Sequence, residues 1–113
     1  MKIQTQCIHE GYSPKNGEPR VMPIVQSTTY RFDSTEHIAS LFDMPTEFMY
    51  SRFANPTCDA VEKKLAALEG GLAAMLTSSG QAANLFAILN LCNAGDSFIA
   101  ATGIYGGTVN LFA

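Results

Sequence analysis

Apolar positions change character along this chain. Between residues 56 and 69, Val61, Leu65 and Leu68 recur at i, i+4 and i+7, while Glu62, Lys63, Lys64 and Glu69 take the other faces. That spacing predicts an amphipathic helix. Asn55 suits its N-cap and Pro56 its first position, where a missing N–H costs nothing, and Gly70-Gly71 supplies the stop. Leu72 to Thr77 is a short apolar run between Gly-Gly and Ser-Ser-Gly, the length of a buried strand. A second helix, from about Gln81, places Ala82, Leu85, Phe86, Ile88, Leu89 and Cys92 on one broad face and ends at Gly95-Asp96. Ser97 to Thr102 reads as a second strand, Gly103 to Thr108 as a loop, and Val109 to Ala113 as the first turn of another helix.

The first 49 residues lack sustained helical periodicity. Ser13 to Pro19 is dense in turn formers, and Pro23 to Phe32 is β-branched and aromatic, which suits extended backbone. Asp33-Ser34-Thr35-Glu36 can cap a short helix through Phe42, and Pro45 breaks what precedes it. Residues 1–49 are therefore predicted to form an extended arm, and residues 50–113 the start of a larger α/β domain. Strand, loop, helix, strand, loop, helix implies two parallel strands. The loops at Ser78-Ser79-Gly80-Gln81 and Gly103 to Gly107 then both emerge at a carboxyl edge, where open α/β sheets bind ligands.

Composition narrows the function classes. Of 113 residues, 47% are hydrophobic and 15% charged, which argues for a folded chain. The net charge of −3 with no basic run argues against nucleic acid as a partner. Cys7, Cys58 and Cys92 are odd in number and widely spaced, and His9 and His37 have no ligand-like spacing, so no metal site and no disulfide framework is expected. Cys92 reads as core filler, His9 and His37 as solvated. Met1-Lys2-Ile3-Gln4 has no apolar signal core behind it, and no run approaches the ~20 apolar residues of a membrane span. A soluble cytoplasmic protein is expected.

The candidate chemistry sits in loops. Ser78-Ser79-Gly80-Gln81 is neither a P-loop nor a Gly-x-Gly-x-x-Gly fingerprint, yet it is a glycine turn feeding a helix start. Free amides and the helix dipole there favour an anion, unless the turn is a mere connection with Ser79 as cap. Tyr105, among small residues, can lay its ring on a flat ligand or pack as a turn aromatic. Arg52 can offer two parallel N–H bonds to a phosphate or make a surface ion pair. Tyr50 can add a hydroxyl or simply pack. Together these groups suggest a flat, phosphorylated ligand, although spacing alone does not bring them together.

Tyr50-Ser51-Arg52-Phe53-Ala54-Asn55-Pro56-Thr57, Leu68-Glu69-Gly70-Gly71, Ser78-Ser79-Gly80-Gln81-Ala82-Ala83 and Ile104-Tyr105-Gly106-Gly107-Thr108-Val109-Asn110-Leu111-Phe112 carry a further signal. In this order and at these separations they resemble the pyridoxal-phosphate enzymes of cysteine and methionine metabolism, from about residue 5 to the last. The resemblance implies an α/β, fold-type I (aminotransferase-like) subunit, of which this chain holds the N-terminal arm and the first part of the large domain. It implies pyridoxal 5′-phosphate as cofactor and a small amino acid as substrate. It also implies a homo-oligomer: a dimer sharing active sites, and a tetramer built from it. Tyr50 and Arg52 would reach the cofactor phosphate of a neighbouring subunit, Ser79, Gly80 and Gln81 would cradle that of their own, and Tyr105 would stack on the pyridine ring and handle protons.

Gly80-Gln81-Ala82-Ala83, Ala87-Ile88-Leu89-Asn90 and Tyr105 to Phe112 look most like O-acetylhomoserine sulfhydrylases. The implied reaction joins sulfide or a thiol to the γ carbon of O-acetylhomoserine and releases acetate. The alternatives are a methionine γ-lyase and a cystathionine γ-synthase or γ-lyase. Methionine γ-lyases carry a cysteine where this chain has Gly107, which counts against the first. The family's Schiff-base lysine lies well downstream, and none of Lys2, Lys15, Lys63 and Lys64 matches it. The expectation is an N-terminal fragment, inactive as it stands, of a longer transferase.

Overall fold

A computed structural model describes all residues, Met1–Ala113. The elements are helices in the order α1 (Ile3–His9), α2 (Thr35–Asp43), α3 (Pro56–Glu69), α4 (Gly80–Leu89) and α5 (Gly106–Phe112). The chain divides into two compact units, Met1–Met75 and Leu76–Ala113.

In the first unit α3 is the organising element. Asn55 caps it, its side chain accepting from the Thr57 N–H at 2.9 Å, with Pro56 just inside. Gly70 closes it in the left-handed conformation (φ 67°), and the Gly71 N–H returns to the Ala66 carbonyl. The buried face differs from the predicted stripe. Ala60 and Ala66 are buried, whereas Val61 and Leu65 stay 43% and 42% exposed. The contact explains the change. Helix α1 packs on α3, and the chain leaves α1 through Gly11 (φ +88°), where a Cβ would overlap the Ala60 carbonyl oxygen. Lys64 bends to the same side and donates to the Cys7 carbonyl at 3.1 Å. Small residues permit this close approach, and branched ones would block it.

Helix α1 has no counterpart in the predicted arm, because seven residues with alternating polar side chains leave too short a window for periodicity. Helix α2 matches the expectation. Ser34 caps it by accepting from the His37 N–H, and Leu41 is its buried residue. Backbone and Thr35 hydrogen bonds hold the exposed Glu36 carboxyl below the usual carboxylate range.

The extended segment from Pro23 to Tyr30 is stitched onto the start of α3. The Val25 N–H donates to Thr57 Oγ1 at 2.9 Å, Thr57 Oγ1 donates to the Pro23 carbonyl at 3.0 Å, and Asn55 Nδ2 donates to the Val25 carbonyl at 3.0 Å. Further on, Thr29 and Tyr50 form an antiparallel bridge, and the Ser51 N–H donates to the Thr28 carbonyl at 2.9 Å.

The two predicted strands are not strands in this structure. Residues 72–77 and 97–102 carry no β-ladder, and the isolated Thr29–Tyr50 bridge is the sole β pairing. A parallel strand is stable beside a neighbour and beneath helices on both faces. Neither segment has such a neighbour here, and Leu72 and Ile99 remain fully exposed.

The second unit pairs α4 with α5. Phe98 meets Phe112 edge-on, with centroids 5.2 Å apart. Helix α5 starts at Gly106, inside the predicted loop, with Tyr105 as its N-cap. Helix α4 ends at Leu89, short of the predicted stop at Gly95-Asp96. Ala82, Leu85 and Ile88 on it, and Cys92 just beyond, are half-buried, while Phe86 and Leu89 are 49% and 59% exposed, so only part of the predicted face is covered.

Asn55 both caps α3 and ties it to Val25 and Ser51. Asn55→Ala should lower the unfolding free energy of the purified protein by about 1–3 kcal/mol, read as a shifted denaturation midpoint at unchanged slope.

Candidate functional site

The sequence-predicted residues fall into two groups, one in each unit. Tyr50 and Arg52 belong to the first. The bridge to Thr29 fixes Tyr50, and the Phe53 and Ala54 N–H groups both return to its carbonyl at 3.0 and 3.2 Å, which closes a tight turn. The Arg52 guanidinium lies over the Tyr50 ring at 4.9 Å from its centroid and over Phe53 at 5.8 Å. Phe53 in turn meets Phe42 of α2 edge-on at 6.5 Å. Arg52 is exposed and makes no ion pair, so the surface-pair alternative finds no partner. The two ring contacts restrain the cation without consuming its N–H donors, which stay available to an anion. A cavity of about 550 Å³ in this unit is lined by Ile8, Tyr12, Arg20, Met22, Val61 and Lys64, and neither Tyr50 nor Arg52 reaches it.

Ser79, Gly80, Gln81 and Tyr105 belong to the second unit. Ser79 caps α4: its Oγ accepts from the Ala82 N–H at 3.1 Å, and its carbonyl accepts from Ala83. The first amides of a helix have no acceptor within it, so the Gly80 and Gln81 N–H groups stand at the open end. The Ser79 hydroxyl accepts in the cap and keeps its own proton to donate. A Cβ on Gly80 would meet nothing within 4 Å, so the approach is open. This donor set fits an anionic ester of phosphate size. Oxygens with no protons to give meet amides and a hydroxyl, and no carboxylate lies among these donors.

Tyr105 is 75% exposed, with its ring folded back over Gly107. A Cβ on Gly107 would lie 2.5 Å from Tyr105 Cε1 and 2.9 Å from Gln81 Nε2, so the ring and the Gln81 amide flank the same glycine. The structure thereby brings Gln81 and Tyr105 together. It also recruits two residues that sequence reasoning missed. Thr108 Oγ1 donates to Gln81 Oε1 at 3.1 Å, and Asn84 Nδ2 donates to Gln81 Oε1 at 3.2 Å and to Thr108 Oγ1 at 3.3 Å. Asn84 lies three residues after Gln81 on one helix, a spacing that places both on one face. Nothing in the sequence signals Thr108. His9 and His37 are exposed, and His37 pairs with Glu47 at 3.3 Å. No helix is long and apolar enough to cross a membrane.

Comparison with known proteins settles the family. The profile of the Cys/Met metabolism PLP-dependent enzymes matches residues 4–113, and the chain belongs to that family. It is 48% identical to O-acetyl-L-homoserine sulfhydrylase 1 of Thermus thermophilus, over 99% of this chain and 27% of that protein. It is 45% identical to O-acetyl-L-homoserine sulfhydrylase of Leptospira meyeri, over 97% of this chain and 25% of that protein. Among solved structures, an O-acetylhomoserine (thiol)-lyase of Campylobacter jejuni, which carries N′-pyridoxyl-lysine-5′-monophosphate, superposes with a TM-score of 0.87 at 34% identity, covering 98% of this chain and 28% of that one. Cystathionine γ-lyase of Micromonospora echinospora gives 0.78 at 34% identity, covering 99% and 28%. The α/β, fold-type I class is thus the fold of these neighbours. The chain spans about a quarter of the length of the curated relatives it matches.

Ser79→Ala removes the cap of α4 and should cost about 1 kcal/mol of stability, while Ser79→Thr holds most of it, as compared by denaturant titration.

Proposed function

We propose that the protein containing this chain binds pyridoxal 5′-phosphate and joins sulfide or a thiol to the γ carbon of O-acetylhomoserine, giving homocysteine or its thioether and acetate. The observation that carries this reading is the sulfhydrylase identity of relatives 45–48% identical across nearly the whole chain. The cofactor's ring supplies an electron sink for carbanion chemistry. The chain's own residues do the holding. Gly80 and Gln81 present backbone N–H groups to the phosphate, and Ser79 adds its hydroxyl. Tyr105 offers a ring face to the pyridine and a phenol that moves a proton at the γ-substituent. Tyr50 and Arg52 serve the phosphate of a neighbouring copy, in a dimer that shares its active sites and pairs into a tetramer. The ring-held guanidinium of Arg52, which makes no ion pair, supports that role.

A γ-lyase is the second reading, favoured by the likeness to the cystathionine γ-lyase structure. Gly107 weighs against the methionine-cleaving version, because methionine γ-lyases carry a cysteine at this position. The lysines of these residues lie elsewhere: Lys63 pairs with Asp59 at 2.6 Å, and Lys64 is spent on the Cys7 carbonyl. No covalent cofactor link is assigned to them.

The purified protein that contains this chain, supplied with pyridoxal phosphate, O-acetylhomoserine and sulfide, should form homocysteine at least about 10-fold faster than it releases 2-oxobutyrate from methionine. Faster 2-oxobutyrate release would overturn the assignment in favour of the lyase.

A further inference from the structure

Gln81 occupies two places at once. Its backbone N–H stands at the open end of α4, and its side chain accepts from Thr108 of α5 and from Asn84 one turn along α4. Thr108 is the buried polar side chain of this chain, 8% exposed, and its own N–H donates to the Tyr105 carbonyl at 2.8 Å. Gln81 Nε2 and the Tyr105 ring flank Gly107. A buried hydroxyl shared by two amide side chains is costly to leave unpaired, so the arrangement resists displacement.

We infer that Gln81, Asn84 and Thr108 form a positioning clamp that holds the Tyr105 ring at a fixed offset from the anion-binding amides of α4. The ligand class that needs such an offset is a flat aromatic ring carrying a phosphate ester. The inference rests on the proposed cofactor reading for that ligand, while the clamp itself concerns the chain alone. Gln81 and Thr108 act through Tyr105 and are positioning residues. Gly107 is part of the device, because it alone leaves room for the ring and the Gln81 amide on one peptide.

The test uses the purified protein with 3-fluorotyrosine incorporated, the Tyr105 ¹⁹F resonance being assigned by its loss in Tyr105→Phe. Without cofactor, Gln81→Ala and Thr108→Val should each move that resonance, and Thr108→Ser, which keeps the hydroxyl, should leave it in place. Titration then compares two probes. Pyridoxal phosphate should bind Gln81→Ala about 5-fold more weakly, because the Tyr105 ring loses its support, while inorganic phosphate, which needs only the backbone amides, should bind within about 2-fold of the parent. A Tyr105 resonance unmoved in both Gln81→Ala and Thr108→Val would overturn the clamp. So would equal weakening of both probes, which would mean that the side chain merely supports the helix start. A resonance that moves in a protein indifferent to pyridoxal phosphate would uphold the clamp and refute the cofactor reading.

Discussion

The first turn of a helix carries amides that the helix itself cannot satisfy, and this obligation organises the candidate site. Ser79 discharges part of it, through its hydroxyl oxygen to Ala82 and its carbonyl to Ala83. Gly80 and Gln81 are left with N–H groups that the helix does not use, and the space around Gly80 is open. The dipole of α4 adds about 0.3–1 kcal/mol of preference for negative charge there, and up to about 2 when partly buried. An anion is the natural complement. The rest of the second unit fixes what stands beside it, because α5 delivers Tyr105 and the Gln81 side chain fastens the two helices.

The first unit solves a different problem. Arg52 is a long, flexible cation on a loop, and presenting it to another molecule costs rotamer entropy. The Tyr50 and Phe53 rings reduce that cost by holding the cation against their faces, 4.9 and 5.8 Å from their centroids. The loop is itself braced. Asn55 and Ser51 bind the extended segment, so residues far apart in sequence keep the turn at Tyr50 in shape. The segment before α3 therefore contributes by holding the cationic turn.

Helices with chemical start and stop signals were legible in the sequence. Asn55-Pro56 with Gly70, Ser34 with its first turn, and Ser79-Gly80 all cap where the residue types indicate. Strand pairing was not legible from local pattern, because a parallel strand is defined by its neighbours, and residues 72–77 and 97–102 have none here. The buried face of α3 was misread for a related reason. Close contact through Gly11 selects Ala60 and Ala66, and hydrophobic periodicity is blind to how near a partner comes. For the candidate site, the residue types of Arg52, Gly80 and Tyr105 were enough to propose them from the sequence. The link from Gln81 to Thr108 did not, since it depends on where α5 begins, three residues before the predicted turn at Val109. The family motifs carried what spacing could not.

We propose that one phosphate is held by amides of one copy and by Arg52 of another. Mixing two inactive variants tests it most directly. Arg52→Ala removes the guanidinium. Gly80→Asp, tolerated sterically because nothing lies within 4 Å of its Cβ, places a carboxylate at the amides and repels a phosphate. After joint refolding of equal amounts, cross-copy sharing predicts that about one site in four regains pyridoxal phosphate binding, since each mixed dimer contains one wholly intact site. Recovery of none, with mixed dimers demonstrably formed, would contradict the account and place Arg52 in the service of its own copy.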